Sequence, residues 1–176
     1  MVRLGVIADS HIPDRMRALP QAALDALAGV DAILHAGDIC AQRVLDALGE
    51  VAPVYAVRGN RDLGLRLPLD RVLTFEGVRL GLTHGHGGIA VYVREKMLSY
   101  ALGYYHTRFL RQVRARFGAV QAVVFGHSHR PVNYVMNGVL MFNPGSLGPE
   151  YRKPNGPAVG LLTVENATVR AEIIRL

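Results

Sequence analysis

Among the side chains of this 176-residue chain whose donor atoms can hold metal ions, seven follow closely on apolar runs: Asp9, His11, Asp38, Asn60, His84, His127 and His129. The most telling pair lies in "AVVFGHSHRPV", where an apolar run ends in Gly126-His127-Ser128-His129. A turn uses glycine and tolerates serine, but it gains nothing from two imidazoles one residue apart. All seven offer oxygen or nitrogen and none is a cysteine, a set suited to one or two divalent cations. A single cation takes about four to six such donors, so seven suit two cations sharing a bridging carboxylate. Asp38 is the natural bridge, because a carboxylate has two oxygens and asparagine or neutral histidine cannot bridge equally well. Two dications bring four positive charges, of which Asp9 and Asp38 cancel two; the excess suits a hydroxide and an anionic substrate. Metals roughly 3.5–4 Å apart acidify a bound water and clamp phosphate oxygens during in-line displacement. Singly, these residues read as ordinary turn or cap residues. Their convergence at one place is what points to a metal site.

Hydrophobic patterning predicts the elements that must bring them together. "RLGVIADSH", "DAILHAGD" and "VAPVYAVRGNRD" are apolar strands running into polar loops. Between them, "PQAALDALAG" and "AQRVLDALGE" are short helices closing at Gly29 and Gly49. Strand–helix–strand–helix–strand with short links predicts a parallel sheet. Two strands then turn at Glu76-Gly77, residues 89–117 are helical in two pieces because of Gly103, and "QAVVFGHSH" is a buried sixth strand. Asn137-Gly138 marks a hairpin, and residues 158–176 form another around Asn166-Ala167. The expectation is one α/β domain over residues 1–176, parallel-leaning in its first half and antiparallel in its second. Each ligand-type residue follows the carboxyl end of a strand: Asp9 and His11 the first, Asp38 the second, Asn60 the third, His84 the fifth, His127 and His129 the sixth. In open α/β sheets the crevice beyond those ends is where ligands bind.

Asp9-Ser10-His11, Gly37-Asp38, Gly59-Asn60, Thr83-His84-Gly85-His86 and Gly126-His127-Ser128-His129 resemble, in order, the motifs of the calcineurin-like metallophosphoesterase superfamily. The small bacterial and archaeal phosphodiesterases are the branch most similar to this chain. The resemblance runs from residue 3 to about 148, because "NPGS" at Asn143–Ser146 is similar to a loop of that branch. It implies a four-layer α/β/β/α sandwich of two mixed sheets. It also implies one metal on Asp9, His11, Asp38 and His129 and a second on Asp38, Asn60, His84 and His127. His127 and His129 would then serve different metals. The implied activity is hydrolysis of small phosphodiesters, nucleotide-derived ones among them, by a hydroxide bridging two divalent ions. Mn²⁺ is the expected cation, with Fe, Zn and Ni as alternatives that mixed N/O ligands equally admit.

At one position the chain departs from the family pattern. Many members carry histidine directly after the asparagine, where it protonates the leaving group; here that residue is Arg61. Arginine gives up no proton at neutral pH, yet it can stabilise charge on a phosphoryl oxygen. His86, two residues beyond His84, is the expected substitute, in the cleft and assisting proton transfer or binding phosphate. Asp62 is expected to orient Arg61.

Two other functions are weighed against catalysis. The family's fold also serves a retromer subunit that works mainly by binding other proteins, and "HIPDR" followed by "LP" here is similar to its start. That scaffold departs from the usual Asp and Asn ligands, whereas Asp38 and Asn60 are kept here. A nuclease is the weaker alternative, since its relatives carry added domains for gripping DNA. The bulk numbers leave both open: formal charge +6, pI about 9.9, and every basic residue an arginine except Lys96 and Lys153. An arginine-rich surface favours phosphate-bearing partners. Apolar runs too short and too broken to span a bilayer, no signal-peptide pattern and a lone Cys40 lead to a cytoplasmic expectation. His35 reads as a core histidine hydrogen-bonded to backbone, His106 as surface, and Cys40 as small apolar filler. Residues 89–117, rich in Arg and Tyr, read as amphipathic helix covering the sheet, with a homodimer interface as a further option.

Overall fold

The computed structural model describes residues 1–103, 105–148 and 156–176. Lys153, noted above, and Tyr104 of the Tyr-rich stretch lie outside the described residues. The order is β1 (Val2–Ile7), α1 (Gln21–Ala26), β2 (Ala32–His35), α2 (Gln42–Gly49), β3 (Val54–Ala56), β4 (Asp70–Phe75), β5 (Val78–Thr83), α3 (Ile89–Leu102), α4 (His106–Ala115), β6 (Ala122–Phe125), β7 (Val132–Met136), β8 (Val139–Asn143), β9 (Ala158–Glu165) and β10 (Thr168–Arg175). Two five-stranded sheets result, one in the order β10-β9-β1-β2-β3 and the other β4-β5-β6-β8-β7.

Strand alternation explains the layering. Along β1, Leu4 and Val6 face the second sheet, while Ile7 faces the other way, toward α1 and α2. Along β6, Ala122 and Val124 enter the inter-sheet core, and Val123 and Phe125 meet Phe109, Leu110 and Val113 of α4. Both faces of each central strand are therefore apolar, as a covered parallel strand requires. The stack is helix, sheet, sheet, helix: the expected α/β/β/α sandwich of two mixed sheets.

The division into a parallel first half and an antiparallel second half is corrected. β5, β6 and β8 are parallel neighbours, and β9 pairs antiparallel with β1 in the first sheet. The cause is connectivity. α3 and α4 form a crossover between β5 and β6, which returns the chain parallel. The final hairpin fills the edge beside β1 instead of joining the second sheet. The tight turns are as expected: Glu76-Gly77 and Asn137-Gly138 both hold φ of +45° to +78°, the left-handed pair of a two-residue hairpin. Gly103, at φ +83°, ends α3. α4 is amphipathic as expected, but α3 is not: it leaves Ile89, Val93, Met97 and Tyr100 exposed at i, i+4, i+8 and i+11.

Candidate metal centre

The carboxyl ends of β1, β2 and β3 in one sheet and of β5 and β6 in the other meet along one edge of the sandwich. The first sheet supplies Asp9, His11, Asp38 and Asn60; the second supplies His84, His127 and His129. Local backbone aims these side chains inward. Asp9, His11, Asp38, His127 and His129 all adopt φ between +50° and +66°. That region costs non-glycine residues about 1–3 kcal/mol each and persists where surrounding structure enforces it, commonly at functional sites. The preceding glycines make room. A Cβ on Gly59 would overlap Asp38, and one on Gly126 would lie 2.8 Å from the Ala36 carbonyl and 3.0 Å from Asp9 Oδ2.

Two clusters result. In the first, His129 Nε2 is 3.2 Å from Asp9 Oδ1 and 3.3 Å from His11 Nε2. In the second, His84 Nε2 is 3.2 Å from both Asn60 Oδ1 and His127 Nδ1. Asp38 stands between them, with Oδ2 3.8 Å from His11 Nε2 and Oδ1 3.5 Å from His84 Nε2. His84 Nδ1 donates to the Ala36 carbonyl at 2.8 Å, which fixes the tautomer and leaves Nε2 as a lone pair. That lone pair faces the oxygens of Asn60 and Asp38, both acceptors. Lone pairs turned toward lone pairs are an arrangement that a cation resolves, so the donor set fits divalent metal.

The electrostatics point the same way. Burial lowers the pKa of His11 to about 4 and of His127 to about 3, so both are neutral at physiological pH. Burial opposes ionisation of Asp9, but the His129 hydrogen bond and nearby imidazoles bring its pKa down to about 2. Burial, with Asp9 nearby, raises the Asp38 pKa, so its charged form is disfavoured among the described residues alone.

A family model described as the calcineurin-like phosphoesterase superfamily domain matches residues 2–167. The chain belongs to this superfamily. A probable metallophosphoesterase of Methanothermobacter thermautotrophicus is 36% identical over 174 residues, covering 98% of this chain and 91% of the relative. Vacuolar Protein Sorting 29 from Cryptosporidium parvum is similar in fold, with TM-score 0.73 and 20% identity over 98% of this chain and 96% of its own. A solved archaeal phosphodiesterase is also similar in fold, with TM-score 0.67 and 18% identity over 98% and 100% of the two chains.

The calcineurin-like domain holds its clusters through Asp62 and the Asn143–Ser146 loop. Asp62 does not orient Arg61. It is buried and accepts three backbone N–H bonds of 2.7 Å, from Ile39, Cys40 and Gly59, tying the loop after β2 to the loop after β3. The partner of Arg61 is Asp14, at 2.8 Å on the rim, while the Arg61 backbone N–H donates to Asp38 Oδ1 at 2.9 Å. "NPGS" is a brace: Asn143 Nδ2 donates to the Gly126 carbonyl at 3.0 Å and Ser146 Oγ to the Asp9 carbonyl at 3.0 Å. Its proline and glycine signal only a turn; those contacts span 17 and 137 residues, beyond any local signal. His86 is buried beside the second cluster, its ring centroid 5.4 Å from His84 and 6.5 Å from His127. His35 is a core histidine, but its Nε2 partner is the Ser10 hydroxyl at 3.1 Å instead of backbone. His106 is half-buried and stacks on Phe109. The Cys40 thiol, pushed up to about 12 by burial, is unreactive.

Proposed function

We infer that this protein is a phosphodiesterase whose two metals are divided by Asp38. The observation that carries the reading is the placing of the two Asp38 oxygens, one toward each cluster. Asp9, His11, Asp38 and His129 would hold the first ion, and Asp38, Asn60, His84 and His127 the second. Bound there, the ions, Mn²⁺ in this reading, would supply a nucleophile from water at neutral pH and neutralise charge on the phosphoryl oxygens. The chain's own part is to hold imidazoles and carboxylates in place before substrate arrives. Asp62 and the Asn143–Ser146 brace do this from behind.

Arg61, anchored by Asp14 at the rim, offers a permanent positive charge to the anionic substrate. His86 lines the cleft beside the second cluster. Burial, the neighbouring His84 and the cations Arg58 and Arg116 lower its pKa to about 4. His86 is therefore a neutral hydrogen-bonding group and not a cationic acid. With Arg61 in the usual histidine position, the leaving group receives little help from a protein acid, so diesters with good leaving groups are favoured.

The test is to strip the protein with chelator, restore each divalent metal in turn, and assay an aryl phosphodiester and its monoester, with Asp38→Asn as control. Metal-dependent cleavage of the diester, lost in Asp38→Asn, is the expected result. Faster hydrolysis of the monoester overturns the substrate class. Stoichiometric metal binding without turnover transfers the reading to a protein-binding scaffold, which one observation favours: the exposed Ile89, Val93, Met97 and Tyr100 on α3.

A further inference from the structure

Between α3 and α4 lies a cleft of about 220 Å³ whose inner end is formed by His86 and His127. It is continuous with the second metal cluster. One wall is Tyr92, its ring nearly perpendicular to the His127 imidazole with centroids 5.8 Å apart. Phe109 stands 5.8 Å from the same imidazole. The Lys96 ammonium lies 5.5 Å from the centroid of Tyr92 and holds that ring by a cation–π contact. The lining also carries polar groups: Ser99, Gln112, and Glu95 paired to Arg108 at 3.3 Å.

Size and lining together select the occupant. Small-molecule sites commonly enclose about 300–1,000 Å³, so this cleft takes one arm of a ligand and not the whole. An alkyl arm would set apolar surface against Ser99 and Gln112 and against the Glu95–Arg108 ion pair. A second phosphate would meet Lys96 and Arg108 but leave the aromatic walls unused, and a bare sugar would cover those walls less fully than a flat ring. A flat heterocycle with donors and acceptors on its edge meets both demands: rings stack on its faces, and amide, hydroxyl and carboxylate read its rim.

We propose that the cleft between α3 and α4 is a nucleobase subsite, holding the base of a nucleotide-derived diester whose phosphate lies on the metal cluster. The proposal rests on the phosphodiesterase reading for the placing of the phosphate, but not on turnover. The test is calorimetric titration of Mn²⁺-loaded protein with adenosine 5′-monophosphate, uridine 5′-monophosphate and ribose 5-phosphate. At least one nucleotide is expected to bind about tenfold or more tightly than ribose 5-phosphate, the factor that base–aromatic stacking supplies. Ser99→Trp, which fills the cleft from α3, and Tyr92→Leu, which removes a stacking face, are each expected to bring that ratio toward one. Equal affinities in the unaltered protein overturn the proposal without recourse to any variant. A ratio that survives both substitutions overturns it as well, because the base then sits elsewhere. The two readings fail separately. A ratio that collapses as expected in a protein without diesterase activity leaves the subsite standing and removes the catalysis, and diester hydrolysis with a ratio of one does the reverse.

Discussion

At the scale of single residues, side chains outside the two donor clusters are as consequential as the donors themselves. Asp62 satisfies three buried N–H groups with one carboxylate. Asp62→Ala orphans all three, and since each unpaired buried donor costs about 1–3 kcal/mol, a loss of roughly 3 kcal/mol or more is expected in urea denaturation. The same variant should bind metal more weakly in calorimetry, because Asp38 and Asn60 sit on the loops that Asp62 joins. Arg61 and neutral His86 lead to a different prediction. With Arg61 unable to give up its proton and His86 neutral, the rate should fall steeply as the leaving-group pKa rises across a series of aryl phosphodiesters. A flat dependence would show that an acid is supplied after all.

At the scale of elements, α3 and α4 divide their work unequally. α4 buries Phe109, Leu110 and Val113 against β6, and Phe109 meets Phe125 at a centroid distance of 5.9 Å. Phe109→Ala removes a nearly buried ring and should cost about 3–5 kcal/mol by thermal or chemical unfolding. Met97, on the outward face of α3, is 67% exposed. Met97→Lys should therefore change monomer stability by no more than about 0.5 kcal/mol. A larger loss that grows on dilution would reveal that a second copy covers the α3 stripe.

At the scale of the whole molecule, the imidazoles gathered at the sheet edges make stability depend on pH. Burial lowers the pKa of His11, His35 and His86 to about 4 and of His127 to about 3, against 6.5 ordinarily. Between those values the unfolded chain binds more protons than the folded one, so stability rises with pH across the window. The melting temperature of chelator-stripped protein is expected to fall as pH drops below about 6.5, with most of the loss complete by about pH 4. Asp9, held at about 2 against 3.8, adds a further loss below that. Restoring metal should raise the melting temperature at neutral pH, because an ion bound only by the folded state at 100 times its dissociation constant contributes about 2.7 kcal/mol.

The sequence by itself determined the donor set, its order along the chain and the strands and helices that carry it. These are local matters: apolar runs of period two or 3.6, glycines ahead of ligands, and Asn-Gly at a hairpin all leave marks within a few residues. Asp38 stood out by its two oxygens, but its place between the two clusters depends on the fold. Only the tertiary structure decided which strands are neighbours. His11 and His129 lie 118 positions apart and meet because β1 and β6, in different sheets, end at the same edge of the sandwich. The partner of Arg61, the brace from Asn143 and Ser146 and the aromatic cleft have the same origin. Each depends on contacts between segments distant in sequence, whose residues carry no mark of the partners that packing assigns them.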